Sequence, residues 1–234
     1  RYRAAIRLGL TTDTQDSTGT VLRQSGRRVT RQELEAALDT QRGTIRQLPP
    51  MHSAVWVDGQ RLYKLDRQGK EVERPLREVT VHRLELLEFD EEHRECVIDV
   101  DCSKGTFVRT ICHDVGELLG VGGVLTALRR TRSLGYTIDQ CVTLEQLDAA
   151  CRAGELDRLL LPVDTAFGDS GRIFLSPRQE ELFLHGVRLD PGRIRHPGTD
   201  QPLRVYGGDR FLGLARIDRE KDELVIVKLF ITMD

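Results

Sequence analysis

The sequence predicts an α+β protein with two domains, a large one that mixes helices with strands and a small one that is rich in strands. Apolar and polar residues alternate over Tyr2–Leu8, which is the period of a half-buried strand. The alternation recurs over 79–89 and 94–102, two long segments joined by an acidic turn. A Gly-Asp-Ser-Gly linker at 168–171 then separates this pattern from a region of shorter strands. We therefore expect a mixed, mainly antiparallel sheet with flanking helices in the first domain.

Composition excludes several classes of protein. Of the 234 residues, 39% are hydrophobic and 31% are charged, as in an ordinary globular protein. The formal net charge is −2, so nucleic-acid binding would need local basic patches. No apolar run approaches the roughly 18 residues of a membrane span and no signal peptide is visible, so we expect a cytoplasmic protein without membrane contact. Five cysteines without a C-x-x-C pair argue against disulfides or a metal site.

The elements between the first strand and the long strand pair are short. Thr30 and Glu33 form a capping box, which predicts a helix. Two prolines at 49–50 interrupt regular structure. Beyond them, 53–57 is a candidate strand and 62–69 a short basic helix.

The corner at 103–110 lies where a strand ends and a helix begins. Gly105 lets the backbone turn, and apolar residues from Val108 to Leu119 recur at helical spacing. Arg109 falls in the first turn of that helix, where the dipole disfavours a cation by about 0.3–1 kcal/mol. A cation beside free helix N–H groups indicates a bound anion, either a carboxylate or a phosphate. The alternative is a surface arginine tolerated at this small cost.

Further elements follow that helix. A basic segment covers 124–132, a strand is predicted over 133–140, and Thr143 starts a second capping box before another helix. Past the linker, we expect a short helix over 177–186 and strands of hairpin length around Gly207. The side chains expected to fill a small barrel are Leu212, Leu214, Leu224, Ile226 and Leu229.

Two basic segments are candidates for phosphate contact. Arg129 and Arg130 belong to three arginines within four residues. Arg61 and Lys64 belong to a segment in which cations recur about one helical turn apart. Gly59 and Gly69 flank it and could act as hinges, so the segment could close on a polyanion. The alternatives are a solvated face for the first segment and an ordinary surface hairpin with a helix for the second.

Tyr2 and His52 are the other candidates. Tyr2 lies between two arginines, and such an aromatic ring can stack on a base while the cations meet phosphate. The alternative is a half-buried packing tyrosine. His52 lies in a Pro-Pro-Met-His-Ser loop, where a histidine is more often without a chemical role. No P-loop, nucleophile elbow or dinucleotide motif is present, so no cofactor is predicted.

Segments spread over the whole chain share the order and spacing of one known family. They are 1–3 with 8–9, 12–19, 43–50, 51–54, 59–69, 103–110 and 128–131. Together they resemble the TruB family of bacterial tRNA pseudouridine synthases. The resemblance implies the pseudouridine synthase fold for 1–170, with a thumb loop at about 51–75. It also implies a small β-barrel, PUA-like RNA-binding domain for 171–234.

The same resemblance implies a reaction and a partner. The expected reaction is isomerisation of one uridine in the T-loop of tRNA, the position called 55, to pseudouridine. The glycosidic bond breaks, the base rotates and a C–C bond forms, without a cofactor or a metal. The target base must leave its stack to be reached, at a cost of a few kcal/mol. The expected partner is the tRNA T stem-loop alone, with no obligate protein partner and a monomeric chain.

Residue roles follow from the matched motifs. Arg109 matches the arginine that pairs with the catalytic aspartate, and Tyr2 matches the tyrosine that stacks on the target base. Asp16 matches a loop acid that is expected to orient the residues in contact with the substrate. The residues expected to contact substrate are Phe107, Leu128, Asp16, Lys104, His52, Arg61, Lys64, Arg129 and Arg130. The stretch at Trp56 departs from the basic residue common in the family, which puts that contact in doubt.

The nucleophilic aspartate of the family lies in a G-x-L-D-P motif upstream of the Tyr2 strand. That motif does not occur in this sequence, which begins at Arg1 already inside a strand. Asp190, in Arg-Leu-Asp-Pro, is a look-alike in the wrong order, and it is better explained as a turn residue. We therefore expect a fragment that has lost its beginning and is inactive alone.

Two other functions fit parts of the pattern. A non-catalytic tRNA-binding or tRNA-folding chaperone would need only the RNA-contacting residues. A guide-RNA-dependent relative of the archaeal and eukaryotic kind would lack the thumb loop, so the hinged 51–75 segment argues against it.

Overall fold

The computed structural model describes residues 1–230, and the chain divides into two compact units, Arg1–Arg132 and Ser133–Asp234. The last four residues of the expected second domain, 231–234, lie outside the described part. No helix in the described range is long and apolar enough to cross a membrane.

The first unit is built on one antiparallel sheet. Its strands are β1 (Tyr2–Leu8), β2 (Leu10–Thr12), β3 (Val21–Gln24), β4 (Gly43–Gln47), β5 (Trp56–Val57), β6 (Gln60–Arg61), β7 (Arg77–Asp90), β8 (Glu95–Cys102) and β9 (Gly123–Arg130). Its helices are α1 (Arg31–Asp39), α2 (Leu62–Asp66) and α3 (Val108–Leu118). The main sheet has the order β4-β7-β8-β1-β9, while β2-β3 and β5-β6 form separate pairs. The expected first strand and long strand pair are confirmed.

The central strand β1 places the candidate tyrosine between two neighbours. Tyr2 pairs with Val100 on β8 and with Arg130 on β9. Along β1, Ala4, Ile6 and Leu8 are buried, as the alternating pattern predicts. The core of this unit lies between the sheet and helices α1 and α3.

Helix α3 buries one face against the sheet. Val108, Ile111, Cys112 and Val115 are buried, whereas Leu118 is 58% exposed. Leu118 belongs to the apolar pattern expected from Val108 to Leu119, but the helical period places it at the margin of the buried stripe. The capping box at Thr30, which starts α1, is confirmed.

The backbones of α3 and β9 touch at two glycines. A Cβ on Gly116 would lie 2.0 Å from the backbone nitrogen of Gly123, and a Cβ on Gly123 would lie 2.5 Å from the carbonyl oxygen of Cys112. Only residues without side chains permit this approach, so the two glycines set the position of α3 on the sheet.

The second unit contains a small four-stranded sheet. From Arg132 onward the strands are β10 (Arg132–Ser133), β11 (Tyr136–Thr137), β12 (Arg172–Leu175), β13 (Leu203–Gly207), β14 (Arg210–Asp218) and β15 (Glu223–Leu229). The helices are α4 (Leu144–Ala153) and α5 (Pro177–Leu184), and the sheet order is β12-β13-β14-β15. β12 and β13 are parallel, and the remaining pairs are antiparallel.

Two expectations for this unit need correction. The strand expected over 133–140 is replaced by two short strands and a 3₁₀ turn, because Leu134 and Gly135 adopt positive φ angles of 51° and 85° and reverse the chain. The expected small β-rich region is present, but among the described residues its sheet is open, with no pairing of β12 to β15, so a closed barrel is not formed.

The core of the second unit consists of residues after the linker. Its members include Ile173, Phe183, Leu203, Leu212 and Leu224, all nearly inaccessible to solvent. The expected core residues Ile226 and Leu229 are only partly buried. The contact-based division falls at Arg132, whereas this core begins at Ile173, and a domain boundary near residue 170 stays a prediction.

Replacing Gly116 with alanine is expected to lower the free energy of unfolding by about 1–3 kcal/mol, because the new methyl group meets backbone atoms of β9. Thermal and urea unfolding measure the change. Leu118→Ala, on the exposed face of the same helix, serves as the control and should cost less than about 0.5 kcal/mol. Equal stability of Gly116→Ala and the original chain would contradict the close approach.

Candidate functional site

The strand-to-helix corner between β8 and α3 is held by its own polar groups. The Ser103 amide donates to the Thr80 carbonyl at 2.8 Å, and the Thr106 hydroxyl donates to the Ser103 carbonyl at 2.8 Å. Gly105 has a φ of +85°, so the chain turns there as expected. Phe107 then occupies the N-cap position of α3 and is half-buried, and Lys104 is exposed at the tip of the turn.

Gln47 fastens this corner to the edge strand β4. Its side-chain oxygen accepts from the Phe107 amide at 3.0 Å, and its side-chain nitrogen donates to the Phe107 carbonyl at 3.2 Å. Gln47 is 1% exposed, so both bonds lie away from water. Gln47 could not be singled out from the sequence, because its neighbours along the chain do not show that its side chain will bind the backbone of Phe107.

A polar loop between β2 and β3 brings Asp16 to the same corner. The Ser17 amide donates to the Leu125 carbonyl at 2.9 Å, and the Leu125 amide donates to the Gln15 carbonyl at 3.1 Å. These bonds hold the loop to β9. The Thr110 hydroxyl donates to the Gln15 side chain at 2.8 Å, which ties the loop to α3 as well. Gln15 was also missed by sequence analysis.

Arg109 connects helix α3 to the 12–19 loop and to the backbone at His52. Its Nη1 lies 3.4 Å from Oδ2 of Asp16, and its Nη2 donates to the backbone carbonyl of His52. Both side chains of the ion pair are largely buried, with 20% exposure for Arg109 and 24% for Asp16. The position of Arg109 predicted a bound anion. The Asp16 carboxylate is such an anion, and it contacts Arg109 through one pair of atoms.

The environment of Asp16 favours its ionised form. Burial acts to raise the pKa of Asp16, but it is outweighed by hydrogen bonds from the side chain and amide of Thr18 and from Thr14, and by the charge of Arg109. The net effect is a pKa below the ordinary 3.8. Oδ1 alone accepts from the Thr14 hydroxyl at 3.0 Å, the Thr18 amide at 2.9 Å and the Thr18 hydroxyl at 2.5 Å.

Tyr2 and the basic run on β9 form a second group. The Arg130 guanidinium lies 5.2 Å from the centre of the Tyr2 ring, a cation–π distance. Leu128 is 49% exposed, and Arg129 and Arg130 are exposed beside it. No hydrogen bond or ion pair within residues 1–230 joins Tyr2 to Arg109, so the two groups are linked through the sheet rather than by direct polar contact.

The expected thumb loop contains a small hairpin and a helix. Nε2 of His52 lies 2.9 Å from Oδ2 of Asp66, so the His52 side chain anchors α2 while its backbone contacts Arg109. The Arg61 guanidinium lies 5.3 Å from the centre of the Trp56 ring. Lys64 is exposed. The Trp56 ring therefore makes a cation–π contact with an arginine of the same chain.

Asp190 has the role of a turn residue. Its Oδ1 accepts from the Gly192 amide at 2.9 Å and caps a short 3₁₀ turn. In the described part of the chain, no three His, Cys, Asp or Glu side chains are grouped so as to hold a metal ion.

Comparisons with known proteins show which family the chain resembles. Two family models match: "TruB family pseudouridylate synthase (N terminal domain)" over residues 1–108 and "tRNA pseudouridylate synthase B C-terminal domain" over 109–168. The tRNA pseudouridine synthase B of Ralstonia pickettii is 44% identical over 208 residues, covering 88% of this chain and 64% of the relative. That of Aromatoleum aromaticum is 44% identical over 220 residues, covering 93% and 68%. The chain thus spans about two thirds of the length of these relatives.

Solved structures show a similar fold. A Cbf5-Nop10-Gar1 complex contains a chain with a TM-score of 0.72 at 21% identity, covering 98% of this chain and 66% of that one. An H/ACA ribonucleoprotein bound to a substrate RNA that contains 2'-deoxyuridine contains another, with a TM-score of 0.70 at 19% identity, covering 100% and 66%. At these identities the likeness concerns the fold.

Changing Gln47 to leucine should destabilise the first unit by about 1–3 kcal/mol, because it leaves the Phe107 amide without a partner, while the Phe107 carbonyl still accepts from the Thr110 and Ile111 amides. Urea unfolding and the hydrogen-exchange rate of the Phe107 amide are the measurements. The control is Gln32→Leu, the same change at an exposed position of α1. Unchanged exchange at Phe107 would show that Gln47 does not hold the corner.

The lowered pKa of Asp16 predicts a pH dependence of stability. Because the folded-state pKa lies below the unfolded value of about 3.8, the stability from ionised Asp16 is present above that pH and is lost as the pH falls through the folded pKa. Asp16→Asn should therefore be less stable than the original chain at neutral pH and should lose less stability on acidification. Chemical unfolding between neutral pH and about pH 3 measures this, with Asp39→Asn as an exposed control. Parallel curves for Asp16→Asn and the original chain would refute the assignment.

Proposed function

Since the chain belongs to the TruB family of pseudouridylate synthases, we propose that it is part of an enzyme that isomerises uridine to pseudouridine in tRNA. The observation that carries the proposal is the placement of Arg109, largely buried at the start of α3 between the Asp16 carboxylate and the thumb backbone at His52. A largely buried guanidinium with spare donors is suited to orient a second carboxylate.

The proposed role of Arg109 is to hold the catalytic aspartate ionised and oriented. In the isomerisation the bond from N1 of uracil to C1' of the ribose breaks, and a bond from C5 to C1' forms. The proton lost from C5 is balanced by the proton gained at N1, so the nucleotide keeps its composition. Arg109 keeps the catalytic aspartate ionised, because an adjacent cation lowers the pKa of a carboxyl group.

The aspartate itself is proposed to come from a G-x-L-D-P segment outside residues 1–234. The sequence contains no such motif, and the Asp190 side chain is engaged in its turn. Oδ1 of Asp16 accepts three hydrogen bonds from Thr14 and Thr18, and Asp16 is proposed to support Arg109. Residues 1–234 alone are thus proposed to bind RNA without turning it over.

The substrate contacts are proposed around the same corner. The target is the uridine called position 55 in the T-loop, and Tyr2, Phe107 and Leu128 are proposed to receive the extruded base. Exposed Leu128 and half-buried Phe107 offer apolar surface of the kind a flipped base requires.

The cations are proposed to hold the RNA backbone. Arg129 and Arg130 on β9, Lys104 at the corner, and Arg61, Lys64 and His52 in the thumb loop provide positive or donor groups at the surface. The tRNA T stem-loop is the proposed partner, and the protein is proposed to act as a monomer without a second protein.

Arg109→Ala, made in the protein that carries this chain together with a G-x-L-D-P segment, should reduce turnover of a T stem-loop by at least about a thousandfold. Binding of the same RNA should stay within a few-fold, because Arg109 faces a carboxylate and not the RNA backbone. Single-turnover kinetics and filter binding separate the two effects. Equal reductions in turnover and in binding would make Arg109 a phosphate contact.

The double change Arg129→Ala and Arg130→Ala should weaken tRNA binding and reduce its salt dependence. Removing one arginine–phosphate interaction lowers the slope of log K against log salt by about 0.7–0.9. Binding measured over a range of salt concentrations gives the slope. Arg31→Ala, an exposed helix arginine paired with Glu35, is the control, and a slope that the double change leaves unaltered would remove these residues from the interface.

Residues 1–234 alone should bind a T stem-loop and form no pseudouridine. Mass-spectrometric detection of pseudouridine after long incubation tests the second point, and adding the G-x-L-D-P segment as a separate peptide chain should restore some turnover. Turnover by residues 1–234 alone would show that the nucleophile lies within them. Binding without turnover even in the longer protein would favour the chaperone function.

A further inference from the structure

The start of helix α2 is packed onto the segment that precedes it in the thumb loop. The Leu62 amide donates to the Val55 carbonyl at 2.8 Å, and the Tyr63 amide donates to the Ser53 carbonyl at 3.0 Å. The Leu62 side chain is fully buried, and Ser53 is 5% exposed. These contacts make the start of α2 and the 53–55 segment one packed unit.

The end of α2 is attached to the same part of the loop by one side chain, that of Asp66. Its Oδ2 lies 2.9 Å from Nε2 of His52, and only 24% of the Asp66 side chain is exposed. Lys64 and Arg67 are close to Asp66 in sequence, yet Asp66 forms an ion pair with neither of them within residues 1–230. Asp66 instead reaches across the loop, and it fixes His52 relative to the helix.

His52 connects this anchor to Arg109. Its backbone carbonyl accepts from Nη2 of Arg109, and the other acceptor of that guanidinium among residues 1–230 is Asp16, through one contact of 3.4 Å. If His52 were displaced, the guanidinium would keep only that long contact. The loss matters because a misplacement of about 1 Å in a catalytic arrangement can cost a hundredfold in rate.

We propose that Asp66 is a positioning residue, which fixes the direction of the Arg109 guanidinium through His52. This inference rests on the proposed function, in which Arg109 orients the catalytic aspartate. It gives the thumb loop a second role besides contact with RNA, because α2 carries Lys64, a proposed phosphate contact, and is tied to the residue whose carbonyl Arg109 binds. The His52–Asp66 contact thus couples RNA binding by the thumb loop to the orientation of Arg109.

The first test measures turnover and binding of a T stem-loop by the protein that carries this chain together with a G-x-L-D-P segment. Asp66→Ala should lower the single-turnover rate at saturating RNA by at least about tenfold, because Arg109 loses a fixed acceptor. The dissociation constant of the RNA should stay within about threefold or become smaller, since the change removes a negative charge from a segment proposed to face phosphate. Asp66→Asn should keep most of the rate, because its side-chain oxygen still accepts from Nε2 of His52.

Glu73→Ala is the matched control, since it removes an exposed acid of the same thumb segment and should leave the rate unchanged. Equal rates for Asp66→Ala and Glu73→Ala would overturn the positioning role, as would an equal loss of rate in Asp66→Asn and Asp66→Ala. If Asp66→Ala weakened RNA binding as much as it lowered the rate, Asp66 would support the RNA contacts of the thumb loop and the inference would fail.

The second test needs no reaction. In residues 1–234 with isotope-labelled arginine, nuclear magnetic resonance measures the rotation of the Arg109 guanidinium about its Nε–Cζ bond, which a hydrogen bond to the His52 carbonyl slows. Asp66→Ala should speed this rotation by about threefold or more, whereas Asp66→Asn and Glu73→Ala should leave it near the original rate.

The two tests separate the inference from the proposed function. Unchanged rotation of the Arg109 guanidinium in Asp66→Ala would refute the coupling, whether or not the protein isomerises tRNA. If the rotation responds while the longer protein forms no pseudouridine, the coupling between Asp66 and Arg109 stands and the proposed isomerase function fails.

Discussion

The position of one cation, Arg109 in the first turn of α3, governs the rest of the candidate site. A helix start disfavours positive charge, so the guanidinium needs compensating acceptors. The direction of its side chain follows from the core, because Val108 and Ile111 must face the sheet and the helical period then turns residue 109 to the flank. The Asp16 carboxylate and the His52 carbonyl occupy the place where that side chain arrives.

Each of these acceptors is distant in sequence and comes from a separate loop. The 12–19 loop reaches Arg109 because β9 and Thr110 hold it, and the thumb segment reaches it through one backbone carbonyl. Gln47 adds a third long-range tie by fixing the backbone of Phe107. The corner is thus assembled only when the first unit is folded. Such preorganisation is what a site needs if it is to stabilise a charged group during a reaction.

Features with a local physical cause could be predicted from the sequence. The alternation in β1, the capping boxes at Thr30 and Thr143, and the turn at Gly105 each depend on a few neighbouring residues, and each is present. The contacts of Gln47 and Gln15 could not be predicted, because they depend on which backbone a distant segment presents. The strand expected over 133–140 is wrong because Leu134 and Gly135 both adopt positive φ angles. Gly135 is a local signal for such a turn, whereas leucine rarely takes a left-handed backbone. The remaining roles are implied by the motif resemblance alone and stay predictions.

The hydrogen bonding of Asp16 bears on the proposal that a second carboxylate performs the reaction. Three donors from Thr14 and Thr18 converge on Oδ1, and Oδ2 faces Arg109. A carboxylate stabilised in this way has a lowered pKa and is therefore a weak base. Its contact to Arg109 is single and long at 3.4 Å, so the guanidinium fork keeps donors for another acid. Asp16 is therefore suited to act as a fixed negative charge beside Arg109, and this agrees with the proposal that the reacting carboxylate is a different group.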